Sequence, residues 1–89
     1  YEVELRFDAA FAETVADTCW HETQEVELDD ATGELTFRCT VDGLDEIKWW
    51  VLSMGPHCVV ERPHELAREI EWLARACVLR YQDGARRSG

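Results

Sequence analysis

Four cysteines and three histidines hold most of the chemical reach of this 89-residue sequence. Cys19, Cys39, Cys58 and Cys77 have the chemistry of metal ligands, disulfide partners or nucleophiles, and His21, His57 and His64 that of bases or ligands. A structural zinc site or an iron–sulfur cluster draws on close pairs such as C-x-x-C, and the sequence has none. Cys19-Trp20-His21 and His57-Cys58 put thiol and imidazole close along the chain. The first lies at a corner and the second in an alternating strand, where neighbours face opposite ways, so neither makes a catalytic couple. Each cysteine falls on the inward side of its periodic element. The expectation is four buried free thiols acting as small hydrophobes in a reducing cytoplasm, ahead of a disulfide or a metal site. The carboxylates fall on outward positions, where a solvated face is their ordinary use. No catalytic residue, cofactor or metal is assigned, and the chain is not expected to be an enzyme.

Charge narrows the partners. The formal net charge is −10, and residues 1–46 carry fourteen acidic side chains against two arginines. Residues 47–89 carry five acidic against seven basic ones. Duplex binding needs a positive field to release phosphate counterions, so this chain alone is not expected to bind double-stranded DNA. No segment reaches the length of a membrane span, and no signal peptide is visible. The opening at Tyr1, already strand-like and without an initiator methionine, suggests a domain of a longer polypeptide.

The elements that position these residues follow from periodicity. Tyr1, Val3, Leu5 and Phe7 alternate with Glu2, Glu4 and Arg6, a half-buried strand. Asp8 stands as N-cap of a helix bearing Phe11, Ala12, Val15, Ala16 and Cys19, which should end near Trp20 and His21, His21 capping or bridging that end. Val26 and Leu28, then Leu35, Phe37, Cys39 and Val41, predict a hairpin with one wet face, turning at Asp29 to Gly33. A second helix starts near Asp42-Gly43, buries Leu44, Ile47, Val51 and Met54, and stops at Gly55-Pro56. His57 to Arg62 form a last strand with Cys58 and Val60 inward. Pro63 opens a third helix over about residues 64–82, with a stripe of Leu66, Ile70, Leu73, Cys77 and Tyr81.

The order β-α-β-β-α-β plus a helix predicts an α+β, ferredoxin-like domain over residues 1–82. Its four-stranded antiparallel sheet runs 4-1-3-2, with two helices on one face and the third packed on the remaining open surface or on a neighbouring domain. Residues 83–89 are expected to be a disordered tail.

With the elements placed, LDEIKWWVLSMGPHCVVERPHELAREI shows a helix ending in tryptophan, two aliphatics, a small residue, Met and Gly. A strand, Pro63 and a helix opening with Glu65-Leu66 and Arg68 follow. Together with the opening strand, helix and Trp20-His21 corner, residues 2–82 resemble the C-terminal extension (WCX) domain of bacterial WYL-domain transcriptional regulators. Arg62 departs from the acidic residue common before the proline, and Trp49 adds a second aromatic beside Trp50. The resemblance implies a cytoplasmic regulator with a DNA-binding helix-turn-helix and a WYL domain elsewhere. It also implies a module that assists dimerisation and the response to a nucleic-acid or nucleotide effector.

Trp49, Trp72, Ala76 and Leu79 fall away from the core stripes and predict an interface with the WYL domain of the same chain and with a second subunit. The plainer account of Trp72 is that the tail or a bend of the third helix covers it. Arg62, Arg68 and Arg75 are candidates for an anionic effector, though solvated i,i+4 pairing with Glu65, Glu69 and Glu71 is their ordinary use. The alternative function is a stand-alone ACT-like small-ligand-binding domain, which shares the element order. Phe7-Asp8-Ala9-Ala10 lacks the glycine of an ACT ligand turn, and the long third helix is extra. The same loop is acidic where an acylphosphatase-like enzyme needs an arginine-bearing phosphate loop.

Overall fold

The computed structural model describes residues 1–88, with side chains through Gly84. The elements are β1 (Glu2–Phe7), α1 (Ala9–Ala16), β2 (Glu25–Leu28), β3 (Leu35–Thr40), α2 (Asp45–Ser53), β4 (Cys58–Arg62) and α3 (His64–Ser88). A single antiparallel sheet runs β2-β3-β1-β4, the expected 4-1-3-2 order. β1 lies between β3 and β4, so its alternate side chains Val3, Leu5 and Phe7 are buried while Glu4 and Arg6 face out. Leu35, Phe37 and Cys39 of β3 match them across the sheet.

The helices lie over β1, β3 and β4. Val15 of α1, Val51 of α2 and Leu66 of α3 close the core, each almost fully buried. An aromatic cluster fills the middle: Phe7 meets Phe37 edge-on at 6.4 Å, and the Trp50 ring lies 5.8 Å from Phe7 and 5.2 Å from Phe37. Gly33 turns the β2–β3 hairpin at φ +78°, and Gly55 ends α2 at φ +60°. Both stand in the left-handed region that the turn and the helix stop require.

Several expectations differ from the structure, because periodicity carries no information about what covers a face or about side chains that end a helix early. Val26 and Leu28 share the core side of the sheet through their register with Phe37 and Leu35, yet both are exposed. Their strand is the sheet edge, beyond the reach of the helices. α1 stops at Ala16, so Cys19 is exposed rather than buried. The Gln24 side chain ends the helical path: its Oε1 accepts from the Trp20 and His21 N–H groups at 2.6 and 3.0 Å, and its Nε2 donates to the Thr18 carbonyl at 3.1 Å. His21 therefore caps no helix; its Nδ1 accepts from the Thr23 N–H at 3.1 Å.

α3 is the last difference. It runs for 25 residues, about 37 Å at 1.5 Å per residue, and reaches Ser88 through most of the segment expected to be a disordered tail. No proline interrupts it and Gly84 alone weakens it; Gly89 lies outside the described residues. Only its first turns meet the body, so Cys77 and Tyr81 of the expected core stripe are exposed, Tyr81 by 83%.

Candidate functional site

Three regions carry the side chains with unexplained exposure or charge. The first is the outer side of α2 and α3. Trp72 and Leu79 are 68% and 64% exposed, seven residues apart on α3, and Ala76 lies half-buried between them on the same side. Trp49, 59% exposed, stands on the back of α2 with Lys48 Nζ 5.0 Å from its ring centroid. Lys48 ties the helices together: Nζ donates to Glu69 at 2.9 Å and lies 3.6 Å from Asp45. The Glu69 bond, with the Coulombic pull of both carboxylates, raises the pKa of Lys48 despite its desolvation. All four apolar residues expected at an interface thus stand on the two helices, three of them open.

The second region is the outer sheet face. Arg38 bonds Glu4 at 2.8 Å and Glu27 at 3.4 Å, while Arg6 reaches Glu61 at 2.9 Å and Glu34 at 3.5 Å. The hydrogen bond that Arg38 donates to Glu4 is the main cause that raises the Arg38 pKa. Both arginines of the acidic half are therefore neutralised in place. Arg62, at the end of β4, lines a depression of 320 Å³ with Glu2, Glu4, Glu25 and Arg38. It shares that depression with three carboxylates, whereas Arg68 and Arg75 stand seven residues apart on α3. Arg75 bonds Glu71 at 2.6 Å, and Arg68 makes no ion pair among the described residues.

The third region was not anticipated from sequence. A half-open groove of 620 Å³ runs between the Trp20 corner, β3 and α2. Trp20, Phe37, Ile47 and Trp50 give it an apolar floor, and Asp42, Asp45 and Glu46 an acidic rim. Trp20 lies 5.1 Å from Trp50, ring to ring. The corner is pinned to β3 by Thr23, whose Oγ1 donates to the Thr40 carbonyl and accepts from the Thr40 N–H. Its lining joins the Trp20-His21 corner to the stretch from Phe37 to Trp50, which is why no local spacing announces it.

Thiol and imidazole do not meet in a catalytic arrangement. His57 Nδ1 bonds Asp8 at 2.7 Å and its ring stacks on Phe11 at 4.0 Å. The neighbouring Cys58 is buried, and desolvation pushes its pKa up to about 12, far from a reactive thiolate. Burial also raises Cys39. Among the described residues no three His, Cys, Asp or Glu side chains gather as a metal site would need. No helix among them is long and apolar enough to cross a membrane.

An α+β domain with this element order and sheet order can be compared with known families. The WCX domain model matches residues 1–78, most of the chain. The chain belongs to the WCX family. WCX domains are associated with WYL-domain transcriptional regulators, where they are a regulatory module and not an enzyme family. No curated protein matches this WCX domain. The family match ends at Val78, so the last turns of α3, with Leu79 and Tyr81, lie beyond the family pattern.

Proposed function

We propose that this WCX domain is the regulatory and oligomerisation module of a WYL-family helix-turn-helix regulator, assisting its dimerisation and its response to an effector. The observation that supports this reading is the pair Trp72 and Leu79, open on one side of a helix whose opposite side holds the core. Burying such side chains fully is worth roughly 1.5–3 kcal/mol each, and tryptophan is over-represented among interface hot spots. The partner on that side is the WYL domain of the same chain or a second subunit, with Trp49 and Ala76 at the margin.

Arg68 and Arg75 are the cations this module offers to an anionic nucleic-acid or nucleotide effector. Arg62, which shares its depression with Glu2, Glu4 and Glu25, contributes less to that contact. Duplex DNA is left to the helix-turn-helix, because a net charge of −10 repels phosphates. The test is Trp72→Ala. Thermal unfolding of the 89-residue chain should be almost unchanged, while sedimentation of the intact regulator should show weakened assembly. A chain that loses stability while assembly persists makes Trp72 a core residue and rejects the proposal.

A further inference from the structure

We propose that the outward-reaching half of α3 is an arm that docks into the Trp20–Trp50 groove of a second copy, and that the second copy returns the same contact. This rests on the dimerisation part of the proposed function, but it uses a different side of α3 from Trp72 and Leu79.

The arm has a defined apolar edge. Leu66, Ile70 and Leu73 start a stripe at helical spacing that the body covers fully or in part. Cys77 and Tyr81 continue the same stripe into the open, and exposed Val78 flanks it. A helix with an apolar stripe needs something to cover it, and here the cover ends while the stripe goes on. The arm is also basic. Beyond the Glu71–Arg75 pair, the sequence from Ala76 to Ser88 has Arg80, Arg86 and Arg87 against the single Asp83.

The groove has the complementary character. Its floor is aromatic and aliphatic, its rim is Asp42, Asp45 and Glu46, and among the described residues no lysine or arginine lines it. Placement favours exchange. Lys48, one turn into α2, bonds Glu69 of α3 at 2.9 Å, so the turns after Glu69 start beside the end of α2 that carries Asp45 and Glu46. An arm and a groove at one end of a molecule can be swapped about a two-fold axis. The result is a closed pair with two identical contacts, in which opposite charges set the register.

Sedimentation velocity of the 89-residue chain tests this, with melting temperatures as a check that each variant is folded. The wild-type chain should be a dimer that weakens as salt is added. Arg80→Glu on the arm and Glu46→Lys on the rim should each weaken it roughly tenfold or more, and Tyr81→Asp should abolish it. A one-to-one mixture of the Arg80→Glu and Glu46→Lys chains should regain the dimer, because both contacts then pair opposite charges again. Trp72→Ala should leave this dimer intact. A monomeric wild type, or a mixture that fails to recover, overturns the arm exchange. Loss of the dimer through Trp72→Ala but not through either charge reversal also overturns it, and leaves the outer side of α3 as the interface of the proposed function.

Discussion

Asp8 Oδ2 lies 2.7 Å from His57 Nδ1, and through this bond the start of α1 is held against the start of β4, 49 residues later. The other carboxylate oxygen accepts from the Phe11 N–H at 3.2 Å as the helix cap, and the Asp8 N–H donates to the His57 carbonyl at 3.0 Å. The His57 bond is the main cause that lowers the Asp8 pKa, ahead of the cap. A carboxylate lowered by folding stabilises the fold above its ordinary value of 3.8, and that contribution is lost as pH falls through the folded value. Asp8→Ala should lower the melting temperature at neutral pH by roughly 5 °C, the scale of a lost cap in a domain this small. The gap between wild type and variant should close once acid has protonated Asp8, which thermal scans across the acidic range will read.

The thiols should divide into two classes. Cys19 and Cys77 are exposed, and Cys39 and Cys58 are buried. In the Tyr81→Asp chain, where the arm is undocked, a small thiol reagent at mildly alkaline pH should modify two positions rapidly and the other two only as fast as the core opens. Denatured, unreduced protein should titrate as four. Peptide mapping showing Cys58 among the fast pair would contradict the placement of β4.

The two left-handed glycines should respond differently to alanine. A Cβ at Gly33 would come within 3.0 Å of Ala9 Cβ, while one at Gly55 meets nothing within 4 Å. Gly55→Ala should cost about 1 kcal/mol from backbone conformation alone. Gly33→Ala should cost more, because the hairpin turn must also shift off α1. Urea unfolding of both variants gives the comparison directly.

Trp50 carries an internal cost. Its Nε1–H is buried and finds no hydrogen-bond partner among the described residues, although the ring sits within the aromatic cluster. Trp50→Ala should cost about 3 kcal/mol for the lost ring and the space it leaves. Trp50→Phe gives up some area but removes the unpaired donor, so it should stay within about 1 kcal/mol of wild type. Denaturant melts in which Phe is as damaging as Ala would mean that Nε1 is bonded in solution.

The strands whose two faces meet different environments were legible in the sequence. β1 and β3 alternate because one side meets the helices and the other meets water, and from these two the sheet order followed. β2 alternates equally well but lies at the edge, where Val26 and Leu28 point the right way with nothing above them. α3 shows the same limit: its stripe runs unbroken through Tyr81, and only the extent of the body decides where cover ends. The open tryptophans were visible from helical phase alone. The groove and the Asp8–His57 bond were not, because both join residues far apart along the chain.

The central place of β1 has a consequence for synthesis. This strand emerges first, but both its neighbours come later, β3 at Leu35–Thr40 and β4 at Cys58–Arg62. On the ribosome its two rows of hydrogen-bonding groups must wait unpaired for most of the domain to appear, and the sheet closes only through contacts of high sequence separation. Nascent chains that stop short of β4 should therefore remain open to protease, and the domain should acquire resistance late and in one step.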